Sequence, residues 1–557
     1  MYSSILHAQQ IIAHLEKARI KSIVISPGSR NAPLTLGFNH NSYFNCYSIV
    51  DERCAAHVAL GMAQQLREPV VLVCTSGSAL LNYYPAVAEA FYSEIPLIIL
   101  SADRPPHKID IGDGQTIRQE HVYSNHIIND GVLHMIESIN DQKFIDENNS
   151  IINRIVTSSI VHNGPVHINI PFEEPLYNLV EKASIQVPEF EIPQESYIQN
   201  DFAEFNDQWE RSTKKLVLIS TLDPDVLNSQ DIAKVLQDPT VLVMTEVSAN
   251  QHHENIVWSI DTLLAPIEKN ETLLNKWRPE IVVTIGGMIV SKKVKQQLRA
   301  IDNLYHYHVG ENRVNDTFFC VKGHFQMPPS LWIDQLNESN IQSDYQDYWV
   351  AHFKNCIIKK QKYLKNASWS DFKVFKKIFN ELPDHMMLQL GNSSTVRYAQ
   401  LFKMNPTHQI FSNRGTSGID GSTSTAIGAA MVSNRPTICL TGDISFLYDS
   451  NALWNNYIPK DFKIILINNS GGGIFRILPG HEDDSVFDTY FETQHQLTAQ
   501  HLCKMFGFNY EVVVDEHAFA KALPNFLKQN SKPQLLEVMT PNDINDKVLL
   551  DYFKFLR

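Results

Sequence analysis

Short apolar runs that end in Gly, Ser, Asp or Asn alternate with longer helical stretches along most of this chain. That alternation restricts the fold more than any other feature. Residues 22–26, 47–50, 69–74, 96–101 and 165–171 read as strands. Helices fit from about Arg53 and over 79–92. An opening helix over 5–20 places Ile5, Leu6, Ile11, Ile12 and Leu15 on one stripe. Strands that alternate with helices imply parallel sheets covered on both faces.

The pattern restarts twice. A second block begins near Lys214, with strands at 215–220, 240–245 and 279–285, and ends before a polar, helix-prone segment at 338–367. A third begins near Asp371, with strands at 386–390, 409–412, 437–441, 463–467 and 534–539. The polar, Pro- and Gln-containing stretch 181–200 reads as a linker. A chain of 557 residues is too long for one core. The expectation is an α/β protein of three doubly wound parallel-sheet domains, at 1–182, 200–345 and 365–557. No short-period repeat appears, and the residues do not show whether the first and third blocks share a structure.

Lys+Arg total 47 against 61 Asp+Glu, a formal charge of −14. An acidic balance speaks against general nucleic-acid binding but leaves small anionic ligands open. The seven cysteines, Cys46, Cys54, Cys74, Cys320, Cys356, Cys439 and Cys503, are scattered and form no C-x-x-C pair. They read as reduced, mostly buried thiols, not as a disulfide frame or zinc site. Residues 1–10 lack the pattern of a signal peptide. No apolar run approaches the ~20 residues of a membrane span. A cytoplasmic protein is expected.

The strongest local signal lies in the third block. The strand at 437–441 runs into Gly442-Asp443-Ile444-Ser445, and that at 463–467 into Asn468-Asn469-Ser470-Gly471-Gly472-Gly473. In an open parallel sheet, ligands bind beyond the carboxyl ends of the strands. Asp443 offers a carboxylate oxygen, Asn469 an amide oxygen and Gly471 a backbone carbonyl, donors that suit Mg²⁺ holding a diphosphate. A helix from near Ser445 would turn its N-terminus to the same place. Either segment alone reads more readily as a strand-ending turn; the two together favour the ligand site. Glu52, between a strand and a helix, is either a first-turn residue favoured by the helix dipole or a carboxylate whose burial raises its pKa for proton exchange.

Arginines follow four strands: Arg30 beside Ser29, Arg104, Arg397 and Arg414. Arginine there suits planar, bidentate binding of carboxylates. A lone surface arginine is usually only solvated, but four at strand ends point to a substrate with several carboxylates. No G-x-G-x-x-G follows a strand, so a nucleotide-binding oxidoreductase is unsupported.

The G-D…N-N pair resembles the signature of thiamine-diphosphate enzymes, with Ile444 where many members have glycine. The strings S-P-G-S-R-x-x-P-L, D-E-R, T-S-G-S-A, S-A-D-R-P-P, Gln115-Thr116-Ile117-Arg118-Gln119, G-N-S-x-x-V-R, N-R-G-x-S-G-I-D-G and G-D-x-S-x-L-Y-D-x-N-A-L run in order between residues 26 and 475. They resemble one branch, the 2-succinyl-5-enolpyruvyl-6-hydroxy-3-cyclohexene-1-carboxylate synthase (MenD) family of menaquinone biosynthesis.

The resemblance implies a transferase that decarboxylates 2-oxoglutarate and adds the succinyl carbanion to isochorismate. It implies thiamine diphosphate with Mg²⁺ or Mn²⁺, and pyrimidine-binding, central and diphosphate-binding domains in chain order. A homodimer or homotetramer with active sites at the subunit interface also follows. By the resemblance, Glu52 activates the cofactor and Asp443, Asn469 and Gly471 hold the metal. Ser78, Asn82, Asn392, Ser393, Ile419, Ile444, Ser445, Ile474 and Phe475 belong to the cofactor pocket. Ser393, Arg397 and Arg414 fall near the 2-oxoglutarate carboxylate. Ser29, Arg30, Arg104 and Lys292 (with Lys293 the alternative) fall near isochorismate, and Gln115 polarises reacting groups. The segment 474–492 is either a cover for the site or a surface excursion. The same-fold alternative, a simple decarboxylase or acetohydroxyacid-synthase-like carboligase, would turn over pyruvate in an apolar pocket; Arg397 and Arg414 speak against it.

Overall fold

A computed structural model describes residues 1–192, 202–337, 341–477 and 485–557. The chain divides into two compact units. The first takes Met1–Glu195, Asn413–Asn434 and Leu447–Phe462; the second takes Ser196–Ser412, Arg435–Phe446 and Lys463–Arg557.

In the first unit, β1 (Tyr2–Ser3) precedes six strands: β2 (Ser22–Ile25), β3 (Asn45–Ser48), β4 (Val70–Cys74), β5 (Leu97–Asp103), β6 (Asn129–Val132) and β7 (Val166–Pro171). β8 (Leu179–Val180) pairs antiparallel with β1. The six form a parallel sheet in the order β3-β2-β4-β5-β7-β6. Its central strands are apolar on both faces. Val71 and Val73 of β4 face a core with Ile11, Leu15 and Phe38, while Val70, Leu72 and Cys74 face the helix Glu52–Leu66. That two-sided burial is why these strands read as unbroken apolar runs.

Helix Glu52–Leu66 also meets helix Ser422–Val432 of the same unit, backbone against backbone. A Cβ on Gly61 would lie 2.0 Å from the Thr425 carbonyl oxygen, and one on Gly428 would lie 2.0 Å from that of Val58. Only glycine allows this approach.

The second unit holds two parallel sheets. One has β9 (Lys215–Ile219), β10 (Val241–Thr245), β11 (Ile281–Ile285), β12 (Tyr305–Val309) and β13 (Val321–Phe325), in the order β10-β9-β11-β12-β13. The other has β14 (Met387–Leu390), β15 (Gln409–Phe411), β16 (Thr437–Gly442), β17 (Lys463–Asn468), β18 (Asn509–Val513) and β19 (Gln534–Met539). Its order is β15-β14-β16-β17-β19-β18. The fold is α/β with three parallel sheets, as the alternation requires.

Several expectations shift. β3 lies at Asn45–Ser48, not at 47–50; Val50 is exposed. The helix expected over 79–92 breaks at Tyr83 into Ala79–Asn82 and Tyr84–Ser93, because Pro85 has no N–H to donate to the Leu81 carbonyl. The helix expected from near Ser445 starts at Asp443. The first part of the expected linker packs on the first unit. Ile185 and Val187 are buried, and Ser184 N–H donates to Gln9 Oε1 at 2.7 Å. Residues 193–200 of that stretch, and 478–484 of the 474–492 segment, lie outside the described residues. All seven cysteines are free thiols. Among the described residues, no helix is long and apolar enough to cross a membrane.

Candidate functional site

Parallel strands end on one edge, so a parallel sheet gathers the residues that follow its strands. In the first unit, β3 leads to Asp51, whose side chain caps helix Glu52–Leu66 by accepting Cys54 N–H at 3.2 Å. Glu52 is the first residue of that helix and is half-buried. Burial, chiefly, and the charge of Asp51 hold its carboxyl above the ordinary carboxylate range. Its own backbone N–H and the Asn82 side chain pull the other way. Asn82 lies past β4, so two strand ends converge on Glu52. Asn82 and Ser78 are exposed.

The loop after β2 leaves Ser29 exposed and buries Arg30, whose guanidinium donates to the Phe172 carbonyl at 3.0 Å and to Glu174 at 3.4 Å. After β5, Arg104 donates to the Gly114 carbonyl at 3.2 Å. The next residue, Gln115, is exposed and left-handed at φ 56°. A Cβ on Gly77, after β4, would lie 3.3 Å from the Gln115 backbone. Arg414 is buried and Ile419 half-buried on the loop before helix Ser422–Val432.

The buried carboxylate of Glu89 holds that loop. It accepts from Gly415 N–H (2.7 Å), Thr416 N–H (2.6 Å), Thr416 Oγ1 (2.7 Å) and Ser93 Oγ (2.7 Å). A Cβ on Gly415 would lie 2.6 Å from the Glu89 carbonyl oxygen, so the loop can seat there only with glycine.

In the second unit, β16 ends at Gly442 and Asp443 follows at once. Asp443 is buried; it accepts Ile444 N–H at 2.7 Å and Gly471 N–H at 3.0 Å. His495 Nε2 lies 3.3 Å from the same carboxylate, whose hydrogen bond and charge raise the histidine pKa. Asn469 follows β17. Its Nδ2 donates to Asp371 at 3.0 Å, while its Oδ1 is buried without a hydrogen-bond partner among the described residues. A Cβ on Gly471 would lie 2.8 Å from the Glu492 carbonyl oxygen.

An unpartnered buried amide oxygen beside a carboxylate and a glycine turn fits a hard divalent cation. Among the described residues, no group of three or more His, Cys, Asp or Glu side chains could hold a metal. A cation here would therefore need amide and backbone oxygens. Burial pushes the Asp371 carboxyl up to about 6, against hydrogen bonds from Thr540, Asn469 and Asn545.

After β14, Asn392 is buried and Ser393 takes a strained φ of 65°. The turn lets the Ser393 carbonyl accept from Arg397 at 2.6 Å. Arg397, Ser394, Lys292, Lys293, Asp261 and Ile474 line a cavity of about 350 Å³. Burial lowers the Arg397 pKa, against the charge of Asp261. Ile444 is half-buried, Ser445 buried, and Phe475 lies on the turn Gly473–Ile477 with Ile474. Lys292 follows Ser291, whose N–H donates to the buried carboxylate of Glu246 at 2.7 Å.

The motif reading therefore missed the buried acids Glu89, Glu246 and Asp371 and the half-buried Asp261, which touch or neighbour the expected site residues. One signal was available: Glu89 is the single charge in the otherwise apolar helix YPAVAEAFYS.

Two family models match the chain. "Thiamine pyrophosphate enzyme, N-terminal TPP binding domain" covers residues 7–127, and "Thiamine pyrophosphate enzyme, C-terminal TPP binding domain" covers 391–538. They take in the first and third sheets' site loops. Among similar proteins, those of Flavobacterium psychrophilum (50% identical), Flavobacterium johnsoniae (48%) and Christiangramia forsetii (45%) each align over 100% of both chains. All three are named 2-succinyl-5-enolpyruvyl-6-hydroxy-3-cyclohexene-1-carboxylate synthase. With full-length identity at this level and both cofactor-binding domains in place, the chain belongs to the 2-succinyl-5-enolpyruvyl-6-hydroxy-3-cyclohexene-1-carboxylate synthase family of thiamine-diphosphate enzymes.

Proposed function

We propose that the chain decarboxylates 2-oxoglutarate and adds the remaining succinyl unit in conjugate fashion to isochorismate, within menaquinone biosynthesis. The observation that carries the substrate class is the cavity of about 350 Å³, where Lys292, Lys293 and Arg397 stand beside Ile474, Leu549 and Phe553. Cations over an apolar floor suit a short chain bearing carboxylates. Thiamine diphosphate, when bound, supplies the electron sink that decarboxylation and carbon–carbon bond formation need.

The protein's own groups do the rest. Glu52, held above the ordinary carboxylate range by burial, exchanges a proton with the cofactor's ring nitrogen. Asp443, Asn469 and the Gly471 carbonyl hold Mg²⁺, and Mn²⁺ accepts the same donors. Ser78, Asn82, Asn392, Ser393, Ile419, Ile444, Ser445, Ile474 and Phe475 shape the cofactor pocket. Arg397 and Arg414 bind the 2-oxoglutarate carboxylate with Ser393. Ser29, Arg30, Arg104 and Lys292 bind isochorismate, and Gln115 polarises the reacting groups. Domains at 1–182, 200–345 and 365–557 would each enclose one of the three parallel sheets. Exposed Leu81, Tyr448 and Trp454 in the first unit support a homodimer or homotetramer. Free, mostly buried thiols support a cytoplasmic setting.

The test follows consumption of both substrates by the purified protein with thiamine diphosphate and Mg²⁺, with pyruvate in a parallel reaction. Coupled loss of 2-oxoglutarate and isochorismate is expected. Turnover of pyruvate alone would replace the substrate assignment with that of a different carboligase.

A further inference from the structure

Asp371 opens helix Asp371–Glu381 and is 2% exposed, a poor place for a carboxylate unless both its oxygens accept hydrogen bonds. Both do. Oδ1 accepts from Thr540 Oγ1 at 2.6 Å and Asn545 Nδ2 at 3.1 Å; Oδ2 accepts from Asn469 Nδ2 at 3.0 Å. Asp371 N–H donates to Asn545 Oδ1 at 2.8 Å, which locks that amide in turn.

A primary amide can rotate to exchange its oxygen and its NH₂ at little cost, and only its partners decide between the two orientations. An ionised carboxylate accepts and cannot donate. Asp371 therefore takes the NH₂ of Asn469 and turns Oδ1 the other way, where it lies buried without a partner among the described residues. Rotated by half a turn, Asn469 would set its oxygen against a carboxylate and aim an NH₂ donor at the place a cation must occupy.

We propose that Asp371 is the positioning residue of the divalent-cation site: it holds the Asn469 amide with its oxygen toward the metal. The proposal rests on the reading of Asn469 as a metal ligand. Partners that orient ligands are worth about 10- to 100-fold in metal affinity. An asparagine at 371 would offer one oxygen to three donors and add an NH₂ of its own, so the Asn469 orientation would no longer be fixed.

The experiment titrates Mn²⁺ into the full chain with thiamine diphosphate and reads free Mn²⁺ by electron paramagnetic resonance, so turnover is not the readout. Asp371→Asn is expected to weaken Mn²⁺ binding about 10- to 100-fold. Thr540→Val removes a hydrogen bond to Asp371 but leaves Asn469 untouched, and is expected to bind as wild type. Wild-type affinity in Asp371→Asn, or equal weakening in both variants, overturns the proposal. If Asp371→Asn does not fold, Asp371→Glu, which keeps the charge but displaces the acceptor, carries the same expectation and the same refutation. Asn469→Ala separates this inference from the reading beneath it. Wild-type affinity there removes Asn469 as a ligand. Weakening there, with none in Asp371→Asn, removes only the orienting role.

Discussion

The sheet of the first unit and the last sheet of the second run in matching order, β3-β2-β4-β5-β7-β6 against β15-β14-β16-β17-β19-β18. β2 corresponds to β14, β4 to β16 and β5 to β17. Corresponding strand ends carry different groups. After β2 come Ser29 and Arg30; after β14, Ser393 and Arg397. After β3 comes Glu52; after β15, Arg414. β4 ends toward Ser78 and β16 at Asp443, while β5 leads to Arg104 and β17 to Asn469. The shared topology allots the positions, and the side chain at each one decides the chemistry. The first sheet offers a half-buried carboxylate whose charge is disfavoured. The last offers oxygen donors already fixed by backbone N–H groups and by Asp371.

The comparison can be sharpened first through the interiors of the two sheets. β7 carries buried His167, hydrogen-bonded to Ser101 Oγ at 2.7 Å, whereas β19 carries buried Glu537, which accepts from Asn468, Tyr510 and Ala499 N–H. Burial lowers the His167 pKa from 6.5 to about 4. The unfolded chain therefore binds the extra proton between those values. Stability from this group is complete above about 6.5 and is lost as pH falls toward 4, up to ~3 kcal/mol at 1.36 kcal/mol per pKa unit. Melting temperatures between pH 7 and pH 4.5 check this. His167→Gln is expected to flatten the slope, and an unchanged slope would remove the histidine from the account.

A smaller effect is expected at the Arg414 loop. Glu89→Gln sets an NH₂ among donors and weakens charge-assisted hydrogen bonds worth about 1.5–3 kcal/mol each. Part of that loss is expected to appear as about a tenfold rise in the KM for 2-oxoglutarate, with kcat little changed, the pattern of lost uniform binding. A fall in kcat at constant KM would mean that the loop serves the reacting centre instead.

Much of this was legible in the residues. Apolar runs buried on both faces announced the central strands, and the G-D…N-N pair marked the turns after β16 and β17. Edge strands β6, β13 and β18 escaped, because they are partly exposed and their mixed residues show no apolar run. β12 escaped because His306 and His308 interrupt its apolar pattern; the fold buries both against Thr284. Glu246, Asp261 and Asp371 left no local signal for a different reason. Their partners, the Val290 and Ser291 N–H groups, the Ser291 hydroxyl, and the Asn469, Thr540 and Asn545 side chains, are distant in sequence and are set by tertiary packing. The likeness of the two six-stranded sheets was hidden too, because strand order leaves no residue signature.

The central claim is that the two like-ordered sheets carry separate proposed tasks, proton exchange at Glu52 after β3 and cation holding at Asp443 after β16. The most direct measurement compares Glu52→Gln and Asp443→Asn for both turnover and calorimetric binding of thiamine diphosphate at fixed Mg²⁺. Glu52→Gln should lose about 10²- to 10⁴-fold in kcat with cofactor affinity nearly intact, and Asp443→Asn should lose the affinity itself. If Glu52→Gln keeps its turnover, or loses cofactor binding as fully as Asp443→Asn, the division of tasks is wrong.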